Sequence, residues 1–149
     1  MAEDPGQDWQ AVLRARGQRL TPQRELVLAA VDRLGHGTPE EIHAEVSGRT
    51  SAISLSTVYR NLTLLEELGV VRVVHLGDRV PTYHSMSLPA HVHLTCSRCG
   101  LVIDASPREF DALVAGLERS HDFEVDVGKL VIVGRCGACR LDSATRPSG

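Results

Sequence analysis

Aromatic residues and long apolar runs are both scarce in this sequence. Tryptophan, tyrosine and phenylalanine make up 3% of the 149 residues, so the cores are expected to consist mainly of leucine, valine, alanine and isoleucine. No run approaches the roughly 18 apolar residues that a membrane-spanning helix needs, and the acidic, polar first ten residues do not resemble a secretory signal. These absences predict a soluble, cytoplasmic protein without membrane association. The hydrophobic fraction of 42% is high enough to offset the entropy of folding, which argues against a disordered chain.

Positive charge is not in excess either. The formal net charge is −3, so no global basic field indicates nucleic-acid binding. Arginines do cluster near the start, at Arg14, Arg16, Arg19 and Arg24. Charge alone leaves two interpretations of this cluster open, a solvated helix face and a DNA contact.

The first half of the sequence carries repeated helix start signals. Thr21-Pro22 and Thr38-Pro39 each place an N-cap residue before a proline, and Glu41 completes a capping box with Thr38. The pattern predicts helices at 7–16, 22–34, 38–46 and 54–68, with His36 in a loop, and then a β-hairpin at 70–76 and 80–84 with its turn at Gly77-Asp78. Helices followed by a hairpin are typical of a winged helix-turn-helix.

The fourth helix has two contrasting faces. Leu55, Val58, Leu62 and Leu65 form an apolar stripe, whereas the opposite face carries polar residues, namely Ser56, Tyr59, Arg60 and Thr63. An exposed Tyr-Arg pair on the face opposite an apolar stripe is typical of a helix that contacts bases or phosphates.

The second half has a different pattern. Residues Ser85 to Ala90 are expected to form a hinge, followed by strands at 91–96 and 101–105, a helix from Ser106 to about His121 and a central strand at Leu130 to Val133. The sequence therefore predicts an α+β protein with a winged-helix domain at 1–84, a hinge at 85–90, a small α/β dimerisation domain at 91–141 and a disordered tail at 142–149.

The cysteines occur as two Cys-x-x-Cys pairs, Cys96/Cys99 and Cys136/Cys139. Each pair can hold one edge of a tetrahedral ion, and two pairs complete a four-cysteine site. Disulfides are disfavoured in a reducing cytosol. We therefore expect one structural zinc per chain, which supports folding because a closed site leaves no open position for a substrate.

Histidines indicate a second metal site. His91 and His93 point to the same face of a strand, because side chains alternate along it. If folding brings His36 and His84 to this pair, together with Asp104, the imidazoles and the carboxylate suit a regulatory Zn, Ni, Mn or Fe ion. Ligation by His75 in the hairpin stays open.

Taken in order, the motifs resemble those of the ferric uptake regulator (Fur) family over roughly Leu13 to Arg140. The segments that carry the resemblance are Gly17-Gln18-Arg19-Leu20-Thr21-Pro22-Gln23-Arg24, Ser56-Thr57-Val58-Tyr59-Arg60-Asn61-Leu62 and His91-Val92-His93-Leu94-Thr95-Cys96-Ser97-Arg98-Cys99-Gly100, with the later Cys136/Cys139 pair. The sequence looks closest to the nickel- and peroxide-responsive branches. His84, however, lies at or beside a position that is a carboxylate in iron and peroxide sensors.

The resemblance implies a homodimer that binds operator DNA as a repressor when its metal is bound. It also implies a structural zinc on the four cysteines and a regulatory ion on His36, His84, His91, His93 and Asp104. The expected DNA contacts are Arg19, Ser56, Thr57, Tyr59 and Arg60. The controlled genes would serve metal homeostasis or peroxide stress.

Two other functions are left open by the residues alone. The first is a redox switch in which the cysteine pairs release zinc on oxidation. The second is a small zinc hydrolase that uses His84, His91 and His93. A hydrolase would need a general base and a substrate pocket, and the sequence shows neither, so we expect no enzyme activity and no small-molecule substrate.

Overall fold

The computed structural model describes residues 8–76 and 81–144, without the side chains of residues 143 and 144. Within these ranges no helix has the length and apolar character required to cross a membrane. The described residues form two compact units. The first contains residues 8–74 and 81–89, and the second contains residues 75–76 and 90–144.

The first unit contains a run of helices with capped starts. Their bounds are α1 (Trp9–Ala15), α2 (Pro22–Leu34), α3 (Pro39–Ser47) and α4 (Leu55–Glu67). The N-cap side chains of Thr21 and Ser54 accept hydrogen bonds from backbone N–H groups in the first turns of α2 and α4, and Thr38 forms the expected capping box with Glu41. The predicted helices are therefore present, with ends within about two residues of the prediction.

One hydrophobic core joins these helices. Every helix contributes at least one fully buried side chain, including Leu13, Val31, Ile42, Val58 and Leu62. The apolar stripe of α4 faces this core, as the sequence predicted. The opposite face of α4 is consequently free to carry exposed polar side chains.

A three-stranded sheet completes the winged-helix arrangement. Its strands β1 (His36–Gly37), β2 (Val71–His75) and β3 (Pro81–Ser85) have the order β1-β3-β2. The two hairpin strands were predicted, whereas the Gly77-Asp78 turn lies outside the described residues. The prediction of a loop at His36 is wrong. His36 and Gly37 pair with the distant strand β3, a partner that local sequence does not reveal.

The segment expected to be a hinge begins as ordered structure. Ser85 is the last residue of β3. The N–H of Met86 donates to the carbonyl of Val70 at 3.0 Å, and the hydroxyl of Ser87 donates to the carboxylate of Asp32 at 3.1 Å. Residues 85–87 are thus bonded to the first unit.

The second unit is built on a sheet with β4 (Val92–Cys96) in the middle. The strand β5 (Val102–Ala105) pairs antiparallel with β4, and β6 (Val131–Gly134) pairs parallel with it. The helix α5 (Asp111–His121) follows a 3-10 turn at Pro107–Phe110, and a second such turn spans Val127–Lys129. The strands and α5 lie where the sequence predicted them. The strand at Leu130 to Val133, however, was expected to be central, whereas β6 lies at an edge of the described sheet and β4 is the central strand.

A last helix, α6 (Gly137–Ala144), was not predicted. It includes residues 142–144, which were expected to belong to a disordered tail, and residues 145–149 lie outside the described part of the chain. The spacing of Cys136 and Cys139 explains why this helix was not predicted. Residues three apart lie on one side of a helix turn as well as in a zinc knuckle.

Candidate metal centres and DNA-binding helix

The four cysteines converge in the second unit. Their sulfur atoms all lie within 4.8 Å of one another, and the Sγ atoms of Cys99 and Cys136 are 3.8 Å apart. Tetrahedral zinc with Zn–S bonds of about 2.3 Å places its sulfurs roughly 3.8 Å apart. All four cysteines are free of disulfides. The cluster therefore fits the donor set and spacing of a structural zinc site.

The parallel pairing of β4 with β6 brings the two Cys-x-x-Cys pairs together. Cys96, at the end of β4, pairs with Gly134 at the end of β6, so both strands deliver their pair to the same edge of the sheet. The N–H of Ser97 donates to the carbonyl of Gly134 at 2.9 Å. Arg98 donates to the carbonyl of Cys139 at 3.2 Å, which ties the first pair to α6.

The thiols differ in acidity. Backbone N–H groups of Cys136, then of Cys99 and Arg98, lower the pKa of the Cys96 thiol to about 6. Hydrogen bonding to Cys136, together with burial, raises the pKa of the Cys139 thiol to about 12. The thiolate is the form that ligates metal. Cys96 therefore reaches its metal-binding form more readily than Cys139, whose deprotonation a bound cation would favour.

The first unit holds two of the predicted regulatory ligands next to each other. His36 on β1 lies directly opposite His84 on β3, and their ring centroids are 5.4 Å apart. Gly37 lies close to α2 and α3, because a Cβ atom there would lie 2.9 Å from Cδ1 of Leu34 and 3.2 Å from Cγ1 of Ile42, so a larger residue would displace these side chains. This close approach keeps β1 against α2 and α3 and so positions His36.

The second unit holds the other three predicted ligands. His93 on β4 lies opposite Asp104 on β5, and its Nδ1 is 3.0 Å from Oδ1 of Asp104. Nε2 of His91 is 3.9 Å from the same oxygen, and the two imidazole centroids are 4.6 Å apart. With a proton on Nδ1, His93 donates to Asp104 and keeps Nε2 available for a metal, the usual arrangement of a carboxylate beside a ligating histidine. This orienting contact of Asp104 was not evident from the sequence.

The predicted DNA-contacting residues of α4 differ in exposure. Ser56, Tyr59 and Arg60 are exposed, whereas Thr57 is half-buried. Its hydroxyl lies 2.9 Å from that of Ser54 and accepts from the guanidinium of Arg60 at 3.3 Å. Thr57 is therefore placed to orient Arg60.

Two sets of contacts around the predicted DNA-binding residues were missed in the sequence. The hydroxyl of Tyr59 donates to the carboxylate of Glu40 on α3 at 2.9 Å. This bond is the main cause that raises the pKa of Tyr59, with burial and the charge of Glu40 adding to it. Arg24 on α2 donates to the carbonyl of Arg19 at 2.6 Å and to the side chain of Gln18 at 3.3 Å. Two sequence features could have pointed to these contacts, namely the paired glutamates after Thr38-Pro39 and the arginine three residues after Thr21.

A winged-helix unit in the same chain as a four-cysteine cluster and clustered histidines defines the class of metal-binding transcription regulators. The sequence profile of the ferric uptake regulator family matches residues 15–133. The chain belongs to this family, as its motifs predicted. It is therefore a metal-responsive, DNA-binding transcriptional regulator and not an enzyme.

Similar proteins agree with this assignment. The chain is 29% identical to the peroxide-responsive repressor PerR of Staphylococcus epidermidis over 131 residues, which cover 87% of each protein. It resembles the Campylobacter jejuni peroxide stress regulator with a TM-score of 0.66 and 26% identity, over 85% of this chain and 94% of that one. The ferric uptake regulator of Helicobacter pylori shares the fold, with a TM-score of 0.74 and 23% identity over 89% of each chain.

Proposed function

We propose that this chain is a repressor whose affinity for operator DNA is set by one divalent ion on His36, His84, His91, His93 and Asp104. The observation that supports this most directly is the division of the ligands between the units. The first unit contributes an imidazole pair, and the second contributes another pair with a carboxylate.

Neither group of ligands suffices alone for a tight site. Divalent ions of this class take four to six ligands in proteins, whereas the first unit supplies two imidazoles and the second supplies two imidazoles and one carboxylate. An ion that uses ligands from both units stabilises one arrangement of the winged helix relative to the dimerisation domain. The proposed domain limits are 1–84 and 91–141 with a hinge at 85–90. The bonds of residues 85–87 to the first unit favour bending in the later part of this hinge.

The DNA contacts that we propose are Arg19, Ser56, Thr57, Tyr59 and Arg60. The exposed face of α4 would enter the major groove, since the opposite face is committed to the core. Metal binding acts as a population shift towards the arrangement in which both helices of a dimer meet successive grooves. A coupling of about 3 kcal/mol corresponds to roughly a hundredfold change in DNA affinity.

The second unit is the proposed dimerisation surface. Within the described ranges it exposes many more large apolar side chains than the first unit does, namely Leu101, Ile103, Leu113, Leu117, Phe123, Val133 and Leu141. Next to them an open cavity of about 220 Å³ is lined mainly by apolar residues of the sheet, including Leu94 and Ile132. An apolar surface of this extent indicates a protein interface. A second copy of the chain would cover it in the homodimer.

We propose that the protein responds to a metal ion, to peroxide or to both. We also propose that it is located in the cytoplasm. The curated relatives respond to peroxide, which favours the peroxide branch over the nickel branch. The cysteines occur in two Cys-x-x-Cys pairs that suit a metal ion better than disulfides, in keeping with a reducing compartment. His84 in place of a carboxylate makes the regulatory ligands richer in nitrogen, which favours later transition metals over manganese.

The test is operator binding by chelator-treated protein titrated separately with Zn, Ni, Mn and Fe(II), with metal content measured in parallel. We expect one retained zinc per chain and tight binding restored by at least one ion. His91→Ala should abolish the restoration and keep the retained zinc, whereas His121→Ala, at the exposed end of α5, should behave as wild type.

Metal-independent DNA binding by the wild type would contradict the proposal. If such binding were lost on mild peroxide treatment together with zinc, the redox switch through Cys96, Cys99, Cys136 and Cys139 would take its place. The exposed position of Cys99 makes that route chemically accessible.

A further inference from the structure

The hydrogen bond between Tyr59 and Glu40 places a carboxylate beside the face that we propose meets DNA. Glu40 is in the first turn of α3, and the Tyr59 hydroxyl donates to it at 2.9 Å. Both residues are exposed. A carboxylate near a phosphate backbone is repelled, so its presence there needs a different explanation from electrostatic attraction to DNA.

The neighbouring glutamate has a local structural role that Glu40 does not share. The Glu41 side chain accepts from the N–H of Thr38 at 2.8 Å and closes the capping box of α3. The same helix also carries Glu45, which pairs with Arg33 of α2 at 2.7 Å. Glu40 alone among these three turns to α4, where its partner is the Tyr59 hydroxyl.

A tyrosine on a reading face has two ways to contact DNA. Its hydroxyl can donate to any phosphate, which carries no sequence information, or its ring can lie against a base edge such as a thymine methyl group. The bond to Glu40 occupies the hydroxyl proton and fixes the direction of the ring. A fixed ring contributes to discrimination between sequences, because its orientation is set before binding.

We propose that Glu40 is a specificity-determining residue, which holds Tyr59 in its base-contacting orientation and weakens binding to non-operator DNA. The proposal rests on the proposed function, in which α4 reads DNA. The negative charge acts against every sequence alike, whereas the oriented ring favours the operator only. The ratio of operator to non-operator affinity is therefore the quantity that depends on Glu40.

The experiment measures binding of the metal-loaded dimer to two duplexes. One is recovered from random-sequence DNA by the wild-type protein, and the other is a shuffled sequence of equal length. Glu40→Ala should raise affinity for the shuffled duplex and lower the operator ratio by about three- to tenfold, the range expected for one hydrogen bond. Glu40→Gln keeps an acceptor for Tyr59 without the charge, so it should bind both duplexes more tightly and retain most of the ratio.

Tyr59→Phe separates the bond from the charge. It keeps the ring and the carboxylate, so it should lower the ratio mainly through weaker operator binding. The Glu40→Ala/Tyr59→Phe double variant should lose no more of the ratio than the larger single effect, because both changes break one bond. The proposal would be overturned if the two single losses in the affinity ratio multiplied in the double variant. It would also be overturned if Glu40→Ala lowered the ratio and Tyr59→Phe did not, a result that would mean that Glu40 contacts bases itself.

Two further variants separate the possible failures. Glu45→Gln removes a charge from the same helix on another side, so it should leave the ratio unchanged; a loss equal to that of Glu40→Ala would reduce the effect to general charge. Arg60→Ala tests the proposed function. If the Arg60→Ala protein binds the operator as tightly as wild type, α4 does not read DNA and the proposed function fails. If Arg60→Ala weakens operator binding but Glu40→Ala leaves the affinity ratio unchanged, only the role of Glu40 is refuted.

Discussion

His36 lies directly opposite His84 across the antiparallel pair of β1 and β3, with ring centroids 5.4 Å apart. A strand of only two residues thus holds one imidazole beside another that comes from a distant part of the sequence. The backbone pairing fixes their spacing, so the imidazole pair is a property of the winged-helix unit itself.

This pairing predicts that removing His36 weakens binding of the regulatory ion. His36→Ala should weaken binding of the regulatory ion by at least tenfold, since loss of even an orienting partner of a metal ligand costs 10- to 100-fold. His36 is half-buried, so the fold should survive the change. Competitive titration with a metal-binding dye measures the affinity, and His121→Ala is the matched control. Unchanged affinity in His36→Ala would remove this residue from the site.

The parts of the fold that could be predicted are those with local signals. The starts of α2, α3 and α4 follow from Thr21, Thr38 and Ser54, whose side chains bond to N–H groups three residues ahead. Such bonds depend on residues close in sequence, so the sequence reveals them. The strand β1 has no comparable signal, because its pairing with β3 is a long-range interaction.

The candidate sites divide in the same way. The four cysteines were assigned to one cluster because Cys-x-x-Cys spacing is set by the geometry of the ion. The hydrogen bonds of Asp104 to His93 and of Glu40 to Tyr59 join residues far apart in sequence. Only the strand register and the packing of α3 beside α4 bring those partners together, and neither can be read from local spacing.

Asp104 should influence the regulatory site in two ways, as a proposed ligand and as the partner that orients His93. In Asp104→Asn the amide still occupies the space but loses the charge that favours a proton on Nδ1 of His93 and frees Nε2. We expect the affinity for the regulatory ion to fall by about 10- to 100-fold, while the structural zinc is retained. Asp111→Asn, an exposed acid at the start of α5, is the control. Equal ion affinity in Asp104→Asn and Asp111→Asn would show that Asp104 has no role in the site.

Cys99→Ser should separate the contribution of zinc from that of packing. The side chain is exposed, so a serine there disturbs little except the ligand set. We expect the variant to lose its zinc and, with it, about 3 kcal/mol of unfolding free energy. A loss of this size would lower the melting temperature by roughly 10 °C. Elemental analysis and thermal unfolding measure both. Ser97→Ala, which removes only the bond to the Gly134 carbonyl, should retain zinc, and a Cys99→Ser protein with full zinc content would contradict the four-cysteine assignment.

Arg24 should affect DNA binding although it was not among the proposed contacts. Its guanidinium bonds to the carbonyl of Arg19 and the side chain of Gln18, and so holds the turn that presents Arg19. Arg24→Ala is expected to weaken operator binding by about tenfold, because the turn must then be ordered on binding. Arg24→Lys keeps the charge but not the planar geometry, so it should recover only part of the affinity. Full recovery by lysine would mean that charge alone accounts for the effect.

The Tyr59–Glu40 bond also predicts a pH dependence that can be measured without DNA. The protein has only two tyrosines, and the pKa of each is raised above 10.0, that of Tyr59 mainly by Glu40 and that of Tyr83 by burial. A raised pKa in the folded state favours the protonated phenol. Its contribution to stability is therefore complete below the unfolded value and is lost as pH rises through the folded one. In an ultraviolet titration Glu40→Ala should return one tyrosine towards its ordinary pKa and leave the other raised, whereas Glu45→Gln should change neither. Two unaltered transitions in Glu40→Ala would show that the bond is absent in solution.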